Sequence, residues 1–158
     1  MEERERFSLR FPKEDRLHHR SLVEGLFRFG KSFYEFPFRV TWRCIGEEEL
    51  QKNFRNAVPK GIGRVQIMVT VPKKKRRRAV DRVLMRRRIR EAYRLHRHSL
   101  MEKVGSSADI RSLSLALVYI HDKNIPYVSI EEKLLGVLNK LQKRLETSEL
   151  QSTTDHLE

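Results

Sequence analysis

The feature that most constrains this chain is a block of positive charge in its interior. Residues 73–98 contain 13 Lys and Arg against two acidic residues, so the block carries +11 of the +13 net charge of the 158-residue chain. A run of like charge is often a disordered tail. This block is interior and contains spaced apolar residues, so we expect it to belong to the folded domain. A field of this sign attracts polyanions, either nucleic acid or an anionic membrane.

The apolar spacing within the block predicts one long helix from Ala79 to about Lys103. At about 100° per residue, six arginines share one face of this helix and most apolar side chains lie opposite. The six are Arg82, Arg86, Arg87, Arg90, Arg94 and Arg97, and the opposite arc holds Leu84, Met85, Ile89, Ala92 and Leu95. Glu91 lies at the far side, so we expect the arginines to lack local carboxylate partners. Like charges on one face repel each other, and phosphates relieve that repulsion because guanidinium groups bind them in a bidentate fashion.

Composition and motifs argue against several other classes of protein. The longest apolar run, Leu113–Ile120, is too short to span a membrane, and the first residues do not lead into the apolar segment of a secretory signal. Cys44 is the only cysteine, which excludes an internal disulfide and a CxxC metal site. We therefore expect a cytoplasmic protein. No phosphate-loop, zinc-protease or serine-hydrolase motif is present, so we expect no catalytic residue and no metal ligand among its side chains.

The remaining segments alternate between helix and strand patterns. We expect a helix over Arg16–Phe29 that ends at Gly30, and a strand over Phe33–Ile45 whose regular part starts after Pro37. A loop over Gly46–Gly63 follows, with a helical turn near Glu48–Phe54. Two further strands are expected over Val65–Val71 and Leu113–Ile120, and a last helix begins at a capping box of Ser129 and Glu132. We expect a flexible arm over residues 1–10, a single domain over 11–145 and a disordered polar tail over 146–158. The terminal Leu157-Glu158 has the form of a cloning scar and is left out of the argument.

Two parts of the basic block resemble the signature of the bacterial ribonuclease P protein subunit. The signature has the order Lys-Lys, a short spacer, Ala-Val, Arg-Asn-Arg, and a basic stretch that ends in Arg-Glu/Gln-Ala-Phe/Tyr-Arg. This chain follows that order with Val71-Pro72-Lys73-Lys74 and then with the run Ala79–Arg94. Arg16-Leu17, Phe27 and Gly30-Lys31-Ser32 resemble its opening helix, and the resemblance covers roughly Phe11 to Leu145. The fold that it implies is α+β: a small α/β sandwich, ribosomal protein S5 domain 2-like, with about four strands packed against three helices and a left-handed βαβ crossover.

The resemblance also implies a function. Such a protein binds a large catalytic RNA, and together they remove the 5′ leader of precursor tRNA by hydrolysis of a phosphodiester. The chemistry belongs to the RNA and its Mg²⁺ ions, with no metal held by the protein. The implied partners are ribonuclease P RNA and precursor tRNA, with no membrane and a single protein copy in the ribonucleoprotein.

Signature and charge together select the candidate site residues. The RNA-binding set is Lys73, Lys74, Arg76, Arg77, Arg78, Arg82, Arg86, Arg87, Arg90, Arg94 and Arg97. The expected cleft for the leader, between the first helix and the sheet, is lined by Phe27, Arg16, Phe38 and Trp42. The chain departs from the signature at Val83, Leu84 and Val23, which replace an Asn, an Arg and an aromatic residue, and its spacer Lys75–Arg78 is longer and more basic.

Two other functions stay open from the residues alone. A structural RNA-binding protein of the ribosome would use the same charge without processing RNA. A binder of anionic membranes would need the apolar side of the basic helix for lipid, although the sheet needs that side as its cover.

Overall fold

The computed structural model describes the backbone of residues 11–155 and the side chains of residues 11–147. The predicted arm over 1–10 and the terminal Leu157-Glu158 lie outside the described residues. The elements, after a short 3₁₀ turn at Lys13–Asp15, are α1 (Arg20–Phe29), β1 (Lys31–Glu35), β2 (Phe38–Ile45), α2 (Glu47–Lys52), β3 (Val65–Thr70), α3 (Ala79–His96), α4 (His98–Ser106), β4 (Ser112–Tyr119) and α5 (Tyr127–Asp155).

The four strands form one mixed sheet in the order β1-β2-β4-β3. Strands β1 and β2 form an antiparallel hairpin, β2 and β4 are antiparallel, and β3 and β4 are parallel. Because β3 and β4 are parallel neighbours, the chain crosses the sheet between them through α3 and α4. The sheet and its helices confirm the predicted α+β class with four strands. The left-handed sense of the crossover stays a prediction.

The segment predicted as one strand over Phe33–Ile45 is in fact a hairpin. Pro37 lies in its turn, and Glu35 pairs with Phe38 across it. The expectation that the second strand starts just after Pro37 is confirmed, because β2 begins at Phe38. Strand β1 has only five residues, which is too short for a clear alternation of polar and apolar side chains.

The first helix starts four residues later than predicted. Arg16 bridges to Ile67 of β3, and the Leu17 amide donates to the Ile67 carbonyl at 2.9 Å. These backbone bonds hold the segment extended along the free edge of β3, so α1 cannot begin before Arg20. The helix ends where Gly30 approaches the neighbouring backbone closely. A Cβ at Gly30 would lie 2.3 Å from the Leu26 carbonyl oxygen.

The last helix is longer than predicted at both ends. It begins at Tyr127 rather than at a Ser129 cap, because the amides of Ser129 and Ile130 already donate to the Pro126 carbonyl, both at 3.1 Å. Its backbone continues to Asp155, past the predicted end of the domain at residue 145.

The long basic helix is divided in two at Arg97. This residue lies between α3 and α4, and its side chain is 3% exposed. Arg97 Nη1 lies 2.5 Å from Oδ2 of Asp15, which is 8% exposed. The aromatic ring of Phe11 lies 5.8 Å from the guanidinium carbon. A buried guanidinium needs such a carboxylate, and Asp15 supplies it at the point where the helix is divided.

The two faces of the sheet bury different clusters. One face packs on α3, α4 and α5 through a large core that includes Phe38, Val40, Trp42, Met85, Ile89, Leu115, Leu134 and Leu141. The other face packs on α1 and the loop after α2 through Leu17, Leu22, Leu26, Ile45, Leu50, Ile62 and Ala116. Successive strand residues point to opposite faces, so this division decides which residues of β2 can face α1.

Asp15→Ala should destabilise the fold strongly, because it leaves the buried guanidinium of Arg97 without its carboxylate. Breaking one partner of a buried pair costs about 3–5 kcal/mol, and urea unfolding followed by circular dichroism measures it. Glu24→Ala is the control, since its pair with Arg20 is solvent-exposed and should leave the midpoint unchanged. Equal midpoints for the two variants would contradict the structural role of Asp15.

Candidate nucleic-acid interface

Helix α3 presents arginines to solvent because its opposite side is buried. Met85, Ile89, Ala92 and Tyr93 are buried against the sheet and α5. Arg87 and Arg90 are exposed on the other side, and Arg86 is half-buried. Leu84, predicted on the packed side, is 36% exposed. That part of the prediction is wrong, because the buried arc is centred nearer Met85 and Tyr93.

Near Arg90, the segment that carries Arg16 adds positive charge to the arginine face of α3. The pKa of Arg90 is lowered, first by partial burial and then by the positive charges of Arg16 and Arg86. Arg16 was predicted for the leader cleft. It is exposed and close enough to influence Arg90, so it extends the arginine face of α3. Repulsion of this kind favours a polyanionic ligand.

Arg94 has a partner that the sequence analysis did not expect. Its Nε and Nη2 donate to Glu91 at 3.0 Å and 2.6 Å. This hydrogen bond lowers the pKa of Glu91 and raises that of Arg94. The expectation that the arginines lack local carboxylates is therefore wrong at this position, since residues three apart on a helix are neighbours.

Two of the predicted RNA-binding arginines are turned toward the protein backbone. Arg82 Nη1 donates to the carbonyls of Arg76 and Arg77, at 3.0 Å and 2.7 Å. Arg76 donates to the Asp122 carbonyl and pairs with Asp81 at 3.1 Å. Both side chains therefore hold the segment before α3 in place.

Arg97 does not belong to the arginine face. It is buried in its pair with Asp15. The prediction that placed it beside Arg86 assumed one continuous helix at about 100° per residue, whereas the helix is interrupted at this residue. Its predicted place on the RNA-facing surface is wrong. Arg88 is also turned inward and donates to the Ile125 carbonyl at 2.6 Å.

The segment before α3 contains most of the other exposed cations of the predicted RNA-binding set. We call residues 73–78 the basic loop. Lys73, Lys74, Arg77 and Arg78 are exposed, as is Lys75, which the predicted site omitted. The signal for Lys75 was its place in an unbroken run of six cations.

The predicted leader cleft is only partly assembled. Phe27 is 52% exposed on α1, but Phe38 and Trp42 are buried in the core on the opposite face of the sheet. Their assignment to a cleft beside α1 is wrong, because strand alternation directs them away from α1. The residues of β2 on the α1 side are the polar Arg39, Thr41 and Arg43, followed by the buried Ile45. The polar half of the strand pattern could have identified the first three.

The α1 side of β2 has its own electrostatic contacts. A Cβ at Gly25 would lie 2.2 Å from Arg43 Nη1, so the guanidinium lies directly against α1. Arg43 also pairs with Glu49 at 3.2 Å and lies 5.2 Å from the Phe29 ring centre. Arg39 is exposed, with its guanidinium 6.0 Å from the ring centre of Tyr34, which is 64% exposed. Exposed aromatic and cationic groups side by side suit single-stranded nucleic acid.

Neither a membrane span nor a metal centre appears in the part of the chain that the structure describes. None of its helices combines the length and the apolar character that crossing a membrane requires. No group of three or more His, Cys, Asp or Glu side chains in the same part of the chain could hold a metal ion.

Comparison with known proteins places the chain in a family. The family model described as Ribonuclease P matches residues 11–142. The ribonuclease P protein component of Porphyromonas gingivalis strain W83 is 28% identical over 140 residues, covering 89% of this chain and 92% of the relative. That of Dictyoglomus turgidum is 32% identical over 130 residues, covering 82% and 91%.

The fold has a solved counterpart. The structure of the Staphylococcus aureus RNase P protein is similar, with a TM-score of 0.56 and 20% sequence identity. The match covers 80% of this chain and 94% of that one. At this identity the likeness concerns the fold, and it agrees with the mixed four-stranded sheet and its covering helices.

Arg90→Ala should weaken binding to a structured RNA by about 1–2 kcal/mol and reduce the salt slope by about one phosphate contact. The reason is the loss of an exposed cation from the centre of the arginine face. Fluorescence anisotropy over a range of salt concentrations measures both quantities. Arg55→Ala removes an exposed arginine from the loop after α2 and should change neither. An unaltered slope for Arg90→Ala would show that Arg90 does not meet phosphate.

Proposed function

Because the chain belongs to the ribonuclease P protein family, and so is the protein component of a tRNA-processing enzyme, we propose that it binds the enzyme's catalytic RNA through the arginine face of α3 and the basic loop. The observation that carries this proposal is the concentration of exposed cations there. Arg16, Arg87, Arg90, Lys73, Lys74, Lys75, Arg77 and Arg78 are all exposed. Guanidinium and ammonium groups in such number bind phosphates and release counterions.

The proposed reaction is hydrolytic removal of the 5′ leader of precursor tRNA. The side chains described here include no cluster fit to hold a metal ion, so no step is assigned to a protein-bound metal. In the proposal, Mg²⁺ is held by the RNA and supports the hydrolysis there. The protein acts as a single copy in the cytoplasm and contributes binding and orientation.

Neutralisation of phosphate charge is the physical contribution of the protein. RNA helices must approach one another to build a compact active site, and their phosphates repel. Cations fixed on a folded surface reduce this repulsion without the entropy cost of recruiting free ions. The protein should therefore lower the concentration of Mg²⁺ that the RNA needs.

The precursor tRNA is the second proposed partner. The exposed Phe27 of α1, with Arg39 and Tyr34 on the same side of the sheet, offers stacking and charge to a single-stranded leader. This position replaces the predicted one that used Phe38 and Trp42. A purely structural ribosomal role is not favoured, because the family match covers most of the chain.

Addition of the protein to the cognate catalytic RNA should increase cleavage of precursor tRNA at low Mg²⁺. The double variant Arg87→Ala with Arg90→Ala should need more Mg²⁺ for the same rate, because it supplies fewer fixed cations. Product formation on denaturing gels at graded Mg²⁺ concentrations measures both effects, with Arg55→Ala as the control. An absence of stimulation by the unmodified protein would refute the proposed function.

A further inference from the structure

The basic loop forms one side of a concave basin beside the start of α3. The basin has a volume of about 580 Å³ and is lined by Lys74, Lys75, Arg76, Arg77, Arg78, Asp81 and Asp122. Among the described side chains, no carboxylate lies within ion-pair distance of Lys74, Lys75, Arg77 or Arg78. Of the two acidic residues in the lining, Asp81 pairs with Arg76, and the Asp122 carboxylate lies 3.1 Å from Nδ1 of His121. The basin therefore holds four cations that form no ion pair with any side chain that the structure describes.

The basin has a defined shape before any ligand binds. Arg82 crosses beneath the loop and donates to two of its carbonyls, those of Arg76 and Arg77. Arg76 joins the loop to Asp81 and to the Asp122 carbonyl. Because these contacts fix the backbone of the loop in the folded protein, ligand binding does not have to order that backbone.

The opposite wall of the basin is tied to the same helix. Asn124 Nδ2 donates to Asp81 Oδ1 at 2.9 Å. Arg88 of α3 donates to the Ile125 carbonyl, and the Tyr119 hydroxyl donates to the Lys123 carbonyl. The segment that carries His121 and Asp122 is therefore held in register with the basic loop.

An exposed aromatic residue lies next to this wall. Phe36, in the turn between β1 and β2, is 58% exposed. Its ring centre lies 5.0 Å from that of His121 with the planes inclined at 56°. Asp122, the next residue, lines the basin. Through His121, an exposed aromatic ring is thus connected to the wall of the basin that Asp122 lines.

We propose that the basin and Phe36 together form a binding site for an unpaired nucleotide of RNA. This inference rests on the proposed function and adds a site apart from the arginine face of α3 and from the α1 side of the sheet. Lys74, Lys75, Arg77 and Arg78 bind the phosphates, and the base stacks on Phe36. Duplex RNA is a poor ligand for it, because paired bases are already stacked and do not reach an aromatic side chain.

Arg82 and Arg76 have a different role in this site. Their guanidinium groups contact carbonyls and Asp81 rather than the basin's ligand, so they are positioning residues. Arg82 occupies the position of the first arginine in the signature of the family. In this chain its contribution to RNA binding passes through the conformation of the basic loop.

Binding of a short single-stranded RNA to the full-length protein alone tests the stacking platform. Phe36→Ala should weaken binding of the RNA about fivefold or more, because stacking of one base contributes about 1–3 kcal/mol. The same backbone without bases should bind both proteins equally. Val128→Ala is the control, since this residue of α5 is 68% exposed but has no aromatic ring, and it should leave both affinities unchanged. Equal affinity of Phe36→Ala and the unmodified protein for the base-containing RNA would overturn the proposal.

Loop variants test the phosphate side of the site. Arg77→Ala and Arg78→Ala should weaken binding of both the base-containing and the abasic strand and should each lower the salt slope by about one phosphate contact. Unchanged slopes would overturn the assignment of the basin to phosphate.

Hydrogen exchange separates the role of Arg82 from a simple loss of charge. Arg82→Ala should speed exchange at the amides of Lys75 and Arg76, which donate to the Pro72 carbonyl, whereas Arg77→Ala should not. Equal exchange in the two variants would remove the positioning role.

Failure of this inference is distinguishable from failure of the proposed function. The oligonucleotide experiments contain no catalytic RNA and measure no cleavage. Normal stimulation of cleavage with no effect of Phe36→Ala on oligonucleotide binding would overturn the nucleotide site alone. Oligonucleotide binding as expected, with no stimulation of cleavage, would overturn the proposed function and leave the RNA site standing.

Discussion

Helix α3 has to enter a hydrophobic core while it lies in a stretch of chain with a net charge of +11. Burial of Met85, Ile89, Ala92 and Tyr93 meets the first demand, and it fixes how the helix is rotated about its axis. That rotation directs Arg87 and Arg90 into solvent. The surface charge of the protein is therefore a consequence of how the core packs.

The cations of this region fall into two groups with different physical roles. Arg76, Arg82, Arg88 and Arg97 are directed to carbonyls or carboxylates of the chain itself. They connect α3 to the basic loop before it, to the segment after β4 and to Asp15. The exposed members, chiefly Arg87, Arg90 and most of the basic loop, are left without such partners among the described side chains. The arginines bonded to the chain itself hold the segments that carry the exposed cations at fixed positions. Fixed positions of charge suit a rigid polyanion such as folded RNA.

The departures from the family signature add exposed apolar side chains to this surface and change its charge less. Val83 and Leu84 are 38% and 36% exposed, and Val80 is 77% exposed. An apolar patch thus lies at the start of α3, where the signature has an amide and a second arginine. The extra cations of the basic loop lie immediately before it in the chain. Exposed positive charge is thereby concentrated at the N-terminal side of α3 rather than spread evenly along it.

The sequence alone indicated the polyanionic partner and most of the buried side of α3, because these depend on summed charge and on local periodicity. The class of fold was implied by the resemblance to the family signature. The sequence also indicated that β2 has one polar and one apolar face. The tertiary structure decided which cations are available to a ligand. Arg97 meets the carboxylate of Asp15, and Arg76 meets the carbonyl of Asp122. Both partners come from distant segments whose position no periodicity reveals. It also decided which face of β2 meets α1, and so moved Phe38 and Trp42 from a cleft into the core. Local patterns fix what a segment can become, whereas long-range partners fix where each side chain points.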